Sequence, residues 1–118
     1  MERDLCERTF AFATRIVCLC RELDKSPGVS RTLCRQLLRS GTSIGANVEE
    51  GQAAQSRADF VSKIQIACKE ARETHYWLRL IVATDIVPAK KLAPLVQESN
   101  ELVAILKTII KSTREKTR

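Results

Sequence analysis

The sequence predicts an all-α fold, an antiparallel up-down-up-down four-helix bundle. Apolar residues recur at intervals of three and four through four long segments. Three prolines and four glycines in 118 residues leave room for long helices. No alternating apolar pattern marks a strand. Such a length predicts one domain, residues 1–118, with helices at about 4–24, 30–50, 56–85 and 89–113. Aromatic residues make up only 4%, so Leu, Ile, Val, Ala and Cys must fill the core.

Helix one places Leu5, Thr9, Phe12, Ala13, Ile16, Leu19, Cys20 and Leu23 on one stripe. Ser26, Pro27 and Gly28 break it, since proline cannot continue a helix. Ser30 is the expected N-cap of helix two. Its inner stripe is Leu33, Leu37, Gly41, Ile44 and Val48, widened by Cys34, Leu38 and Gly45. Gly51 is expected to supply the backbone freedom of a helix exit. Ser56 then offers an N-cap oxygen, with Asp59 three residues later in a relative of the capping box. Helix three buries Phe60, Ile64, Ala67, Ala71, Leu78 and Val82, with Cys68 and Ile81 beside them. Proline at 88 closes the next turn, and Pro94 falls in the first turns of helix four or at a kink. Helix four runs Leu92, Leu95, Val96, Ser99, Leu102, Val103, Leu106, Ile109 and Ile110, the spacing of a bundle seam.

Two further stripes flank this core. Gln36, Ser40, Ser43, Asn47 and Glu50 recur on helix two and fit a hydrogen-bonded helix–helix seam or a solvated face. Ile66, Glu70, Glu73, Trp77 and Leu80 recur well round helix three. Aligned apolar residues away from a core, with the chain's single tryptophan among them, fit an oligomer seam.

Net charge is +6, and the excess sits at the end: residues 86–118 hold seven basic and three acidic side chains. That tail suits a polyanion such as RNA, or is a solvated terminus. Arg31, Arg35 and Arg39 recur every four residues, as a phosphate-tracking ladder or as the charged exterior of a helix. Together with Lys107, Lys111 and Arg114 they are the candidate phosphate contacts.

Catalysis finds little support. Glu49 and Glu50 are adjacent and point apart on a helix, and His75 is the only histidine. A di-iron Glu-x-x-His pair needs that motif twice, so no metal or other cofactor is expected. Five cysteines, an odd number without a CxxC pair, read as small buried groups in a reducing cytoplasm. The N-terminus carries no signal-peptide pattern, and no apolar run reaches membrane-spanning length.

At S-I-G-A-N-V-E-E-G (43–51), S-x-x-D-F (56–60) and K-E-A-R-E-T-x-Y-W-L (69–78), the chain resembles a known family. It resembles the bacterial four-helix-bundle proteins encoded in intervening sequences of 23S rRNA genes, also described as ribosomal-protein-like. The matching residues are Ser43, Asn47, Glu50, Gly51, Ser56, Phe60, Glu70, Glu73 and Trp77, while Val48 and Glu49 depart from the usual pattern. The resemblance implies a homopentamer with a central channel and no firmly assigned activity. It also implies kinship with the accessory variability determinant of diversity-generating retroelements, a basic pentamer that binds reverse transcriptase and nucleic acid. The expectation is therefore a non-enzymatic, cytoplasmic homo-oligomer that binds RNA or a ribosome-associated partner. The alternatives are an adaptor for reverse transcriptase and a ribonuclease acting on the intervening sequence.

Overall fold

A computed structural model describes residues 2–116, which form four helices: α1 (Glu2–Leu23), α2 (Val29–Gln52), α3 (Arg57–Ala83) and α4 (Ala89–Lys116). No strand occurs among the described residues. The body is 49 Å long and 21 by 20 Å across, two helices thick in each direction. Each helix packs on its neighbour in the chain, whereas α1 and α4 approach sparsely.

Contacts between neighbours run in opposite order along the two helices. Ile16 lies against Gly41, and Thr9 against Gly45. Thr74 meets Ser40, while Phe60 and Ile64 lie against Gly51. The core draws on all four helices through Phe12, Ile16, Leu37, Ile44, Ile64, Leu78, Leu102 and Leu106, all fully buried. Burying each such side chain is worth roughly 1.5–3 kcal/mol. Thr9, Ser40, Thr74 and Ser99 are buried too, and their hydroxyls bond to carbonyls three or four residues back. No buried polar side chain among the described residues is left without a partner.

The helix ends depart from the sequence reading in physically clear ways. Ser30 is not the cap of α2, which starts one residue earlier. Gly28, at φ 91°, is the N-cap residue, and its carbonyl accepts from Thr32 N at 3.1 Å and Thr32 Oγ1 at 3.2 Å. Only glycine takes that φ cheaply, so the turn itself delivers the chain into the helix. Gly51 is not an exit in the left-handed region either: α2 continues through Gln52. A Cβ there would lie 3.4 Å from Ile64 Cδ1, an ordinary van der Waals contact, so neither φ nor space requires the glycine. Leu38, expected to widen the inner stripe, is 37% exposed.

Ser56 caps α3 as the sequence indicates, its Oγ accepting from Asp59 N at 3.1 Å. Asp59 Oδ2 accepts in turn from Gln55 N at 3.4 Å. α3 ends at Ala83 rather than at 85 because Asp85 adopts φ 62°. Asp85 N donates to Val82 O at 3.1 Å and Ile86 N to Ile81 O at 3.2 Å, the double bond of a Schellman closure. Pro94 lies within α4 on an exposed face, where water reaches the carbonyl that its missing N–H leaves unpaired. α4 extends to Lys116, whose carbonyl accepts from Arg57 Nη1 at 3.2 Å. The last two residues of the basic tail lie outside the described range.

One charged fork ties α1 to α4. Arg8 donates through Nε and Nη2 to Glu98 at 2.7 and 2.8 Å, and through Nη2 to Glu101 at 2.6 Å. Bonds from Gln97 and then Arg8 hold the Glu101 carboxyl below its ordinary 4.5. A depressed carboxyl stabilises the fold above its ordinary pKa, and that contribution disappears as pH falls through the depressed value. Arg8→Ala should therefore unfold at lower urea than wild type at pH 7, and the gap should shrink below pH 4.5. A gap independent of pH in urea titrations would contradict this account.

The glycines make a second contrast. A Cβ at Gly41 would lie 2.8 Å from Ile16 Cγ2 and 3.3 Å from its Cβ, both on a stiff β-branched side chain. Gly41→Ala is expected to cost about 1–2 kcal/mol net, overpacking outweighing the gain in helix propensity. Gly51→Ala meets only ordinary contacts and should be neutral or stabilising by up to about 1 kcal/mol. Chemical denaturation that ranks the two variants the other way would refute the packing argument.

Candidate functional site

Each flanking stripe supplies one side of the bonds that join α2 to α3, with Thr74 and Arg39 as their partners. Ser40 Oγ and Thr74 Oγ1 lie 2.9 Å apart in the buried part of this seam. Asn47 Nδ2 donates to Ser43 O at 2.9 Å and to Ser43 Oγ at 3.1 Å. Further out, Arg39 pairs with Glu70 at 3.2 Å and with Glu73, whose Oε2 also accepts from Trp77 Nε1 at 3.3 Å. Glu70, Glu73, Trp77 and Leu80 are half-buried, while Gln36, Glu50 and Ile66 are exposed. Tyr76 stacks edge-on against Trp77, with ring centroids 5.2 Å apart. Much of this stripe is thus engaged within its own chain.

That pairing divides the candidate phosphate contacts. Arg39 is held between two carboxylates. Arg31 donates to Asp24 O at 3.1 and 2.9 Å and lies 3.4 Å from the Asp24 carboxylate, bracing the α1–α2 turn. Arg35 is exposed beside a cleft of about 310 Å³ that Val17, Cys20, Cys34 and Leu38 also line. The three arginines share a face, yet two of them meet fixed anionic or carbonyl partners.

Lys107, Lys111 and Arg114 come together instead on one wall of a cleft of about 690 Å³ between α3 and α4. Arg72 and Gln65 stand opposite on α3, and Glu115 is the acid that lines it. Two smaller clefts continue the groove, one reaching Lys69 and Cys68, the other Arg57 and Val61. Arg57, Gln65, Lys69 and Arg72 were missed in sequence because their partners lie some forty residues away. A signal was present: residues 58, 61, 65, 68 and 72 form a stripe on α3 that ends in arginine. The groove's electrostatics reach Cys68, whose thiol burial pushes up while Arg72 and Lys107 pull it down.

The remaining reactive groups are placed poorly for chemistry. Cys20 Sγ donates to Cys34 O at 3.5 Å and Cys34 Sγ to Cys20 O at 3.3 Å. Burial, then the neighbouring Cys34, pushes the Cys20 thiol up to about 12, so it is no ready nucleophile. His75 is half-buried, and burial and then Arg79 lower its pKa. Among the described residues no group of three His, Cys, Asp or Glu could hold a metal ion, and no helix is long and apolar enough to cross a membrane. What the arrangement does offer is a row of cations over an apolar floor.

A small helical bundle with one cationic groove is the class that fold and site define. The chain belongs to the 23S rRNA-intervening sequence protein family, whose profile it matches over residues 1–108. It is similar to a crystallised protein of unknown function from the S23 ribosomal protein family of Bacteroides thetaiotaomicron. The two share 41% identity over 93% of this chain and 97% of that one, with a TM-score of 0.86. No curated protein matches the chain significantly.

The α2–α3 seam yields its own test. Thr74→Val removes a buried hydroxyl next to Ser40 and should cost about 1–2 kcal/mol, whereas Ser40→Ala with Thr74→Val should cost less than the two singles combined. Strict additivity in denaturant unfolding would show that the two hydroxyls do not act as a pair.

Proposed function

We propose that this protein is a non-enzymatic RNA-binding bundle, an antiparallel up-down-up-down arrangement working as a homo-oligomer. The single observation that carries the RNA reading is the α3–α4 groove. It gathers Arg72, Lys107, Lys111 and Arg114 within one cleft against a single lining carboxylate. Its ligand must be strongly anionic, and a polynucleotide supplies regularly spaced charge on the scale of a helix wall. The family, named for an rRNA intervening sequence, and the S23 ribosomal protein family of the similar crystal structure favour RNA among polyanions.

The reversed order of contacts between successive helices supports the antiparallel arrangement. A homopentamer is the assembly that the family resemblance implies. The outer edge of the α2–α3 seam, with Ile66 39% exposed, is the surface proposed to mediate it. Arg39, Glu70, Glu73 and Trp77 then stiffen that surface from within the chain. Burial raises the Cys20 thiol and makes it a poor nucleophile, which fits binding better than thiol catalysis.

Fluorescence anisotropy against a structured RNA tests the reading. If the groove neutralises about four phosphates, the logarithm of affinity should fall with the logarithm of salt with a slope near −3 to −4. Replacing Lys107 and Lys111 by alanine should flatten that slope by about 2. Arg39→Ala should change affinity less than about twofold, its charge being matched already by two carboxylates. No binding at low salt, or binding indifferent to salt, would remove the RNA reading.

A further inference from the structure

Gln65 lines three adjoining clefts between α3 and α4, so these form one continuous groove. Arg57, Lys69 and Arg72 stand on its α3 wall, facing Lys107, Lys111 and Arg114 on α4. Its apolar lining is Ala58, Val61, Cys68 and Ile110, with no aromatic side chain and no histidine. Proteins that hold single strands rely on aromatic faces on which the bases stack. Readers of base edges need an element that projects into a nucleic-acid groove, and a channel between two helices is concave. Cations on both walls of a channel match a ridge of negative charge, which a duplex backbone presents.

The dimensions agree. Lys107 to Arg114 spans seven residues, or about 10 Å of helix. That is the length of a short run of successive backbone phosphates on one strand. The two walls stand one helix spacing apart, about 8–10 Å. Gln65 sits between the cationic ends of the groove, and its exposed amide has no hydrogen-bond partner among the described residues. An amide both donates and accepts, as does the ribose 2′-hydroxyl.

Building on the RNA-binding reading above, we infer that this groove seats the sugar–phosphate backbone of double-helical RNA irrespective of base sequence. The two cationic walls take phosphates, and Gln65 takes ribose 2′-hydroxyls. Glu115 at the rim limits how far the backbone reaches along α4.

The full-length chain is titrated at one moderate salt concentration with four labelled probes. These are two RNA duplexes of unrelated sequence, one unpaired strand without self-structure, and a DNA duplex matching the first RNA. The two RNA duplexes should bind within about twofold, the single strand about tenfold more weakly and the DNA duplex at least about threefold more weakly. Gln65→Leu should bring RNA-duplex affinity down to that for DNA, with DNA affinity and the salt slope unchanged. Gln65→Ala, read in parallel with thermal melts of both variants, separates this from misfolding. The inference is overturned by a single strand or DNA duplex binding as tightly as the RNA duplex. A tenfold preference between the two RNA duplexes, or equal weakening of RNA and DNA by both variants, also overturns it. In each of those cases RNA binding itself stands. Failure to bind any RNA probe removes both.

Discussion

One turn of α2 fixes how the helices are rotated against each other. Gly41 and Gly45 leave a notch without side chains, and Ile16 and Thr9 of α1 fill it. Ser40, on the opposite shoulder of the same turn, meets Thr74 of α3 at 2.9 Å. Rotating α2 would drive Ile16 into a backbone, at a cost on the order of 1–3 kcal/mol, and would part Ser40 from Thr74. A core poor in aromatic residues makes this possible, because small side chains let the helices come close.

From that rotation follows which cations are spent. With α2 held, Arg39 reaches Glu70 and Glu73, and Arg31 reaches back across the turn to Asp24. Arg8 is taken by Glu98 and Glu101, whose bonds raise its pKa despite burial. These pairs are half-exposed and contribute little to stability each. Their larger effect is on the surface field: they offset the charges of Arg8, Arg31 and Arg39 within the chain. Basic side chains gathered between α3 and α4 face a single lining carboxylate, Glu115, which leaves a local excess of positive charge there.

Most of the fold could be read from the chain, because a bundle writes its core as a local period. The stripes through Ile44, Leu78 and Leu102 and the cap at Ser56 are information held within a few residues. Thr74 escaped that reading: it occupies a core register, yet a threonine there looks like a break until Ser40 is placed beside it. Gly51 misled as well. A glycine near a helix end signals a left-handed exit, yet here the helix runs on through Gln52 and Ile64 leaves room for a Cβ. The groove was half legible. Lys107, Lys111 and Arg114 declare themselves by spacing on α4, whereas Arg57, Gln65, Lys69 and Arg72 acquire meaning only opposite them. The arginine ladder on α2 shows the converse, since periodicity cannot reveal which charges are already matched by carboxylates elsewhere in the chain.

The size of the groove bears on why such a bundle would assemble. About four phosphate contacts supply only the electrostatic share of binding, which for non-specific complexes corresponds to Kd values of roughly 10⁻⁴–10⁻⁶ M at physiological salt. The groove has no aromatic platform to add stacking energy. Tighter binding must then come from repetition. In the proposed homo-oligomer, a second groove engages the same nucleic acid as an intramolecular event, and overall affinity can rise by about 10²–10⁴ without any new kind of contact. The α2–α3 edge proposed as the seam lies round α3 from the groove, so assembly through it would leave the cations open. Two modest surfaces on adjoining faces of one helix would thus depend on each other, the seam supplying number and the groove supplying charge.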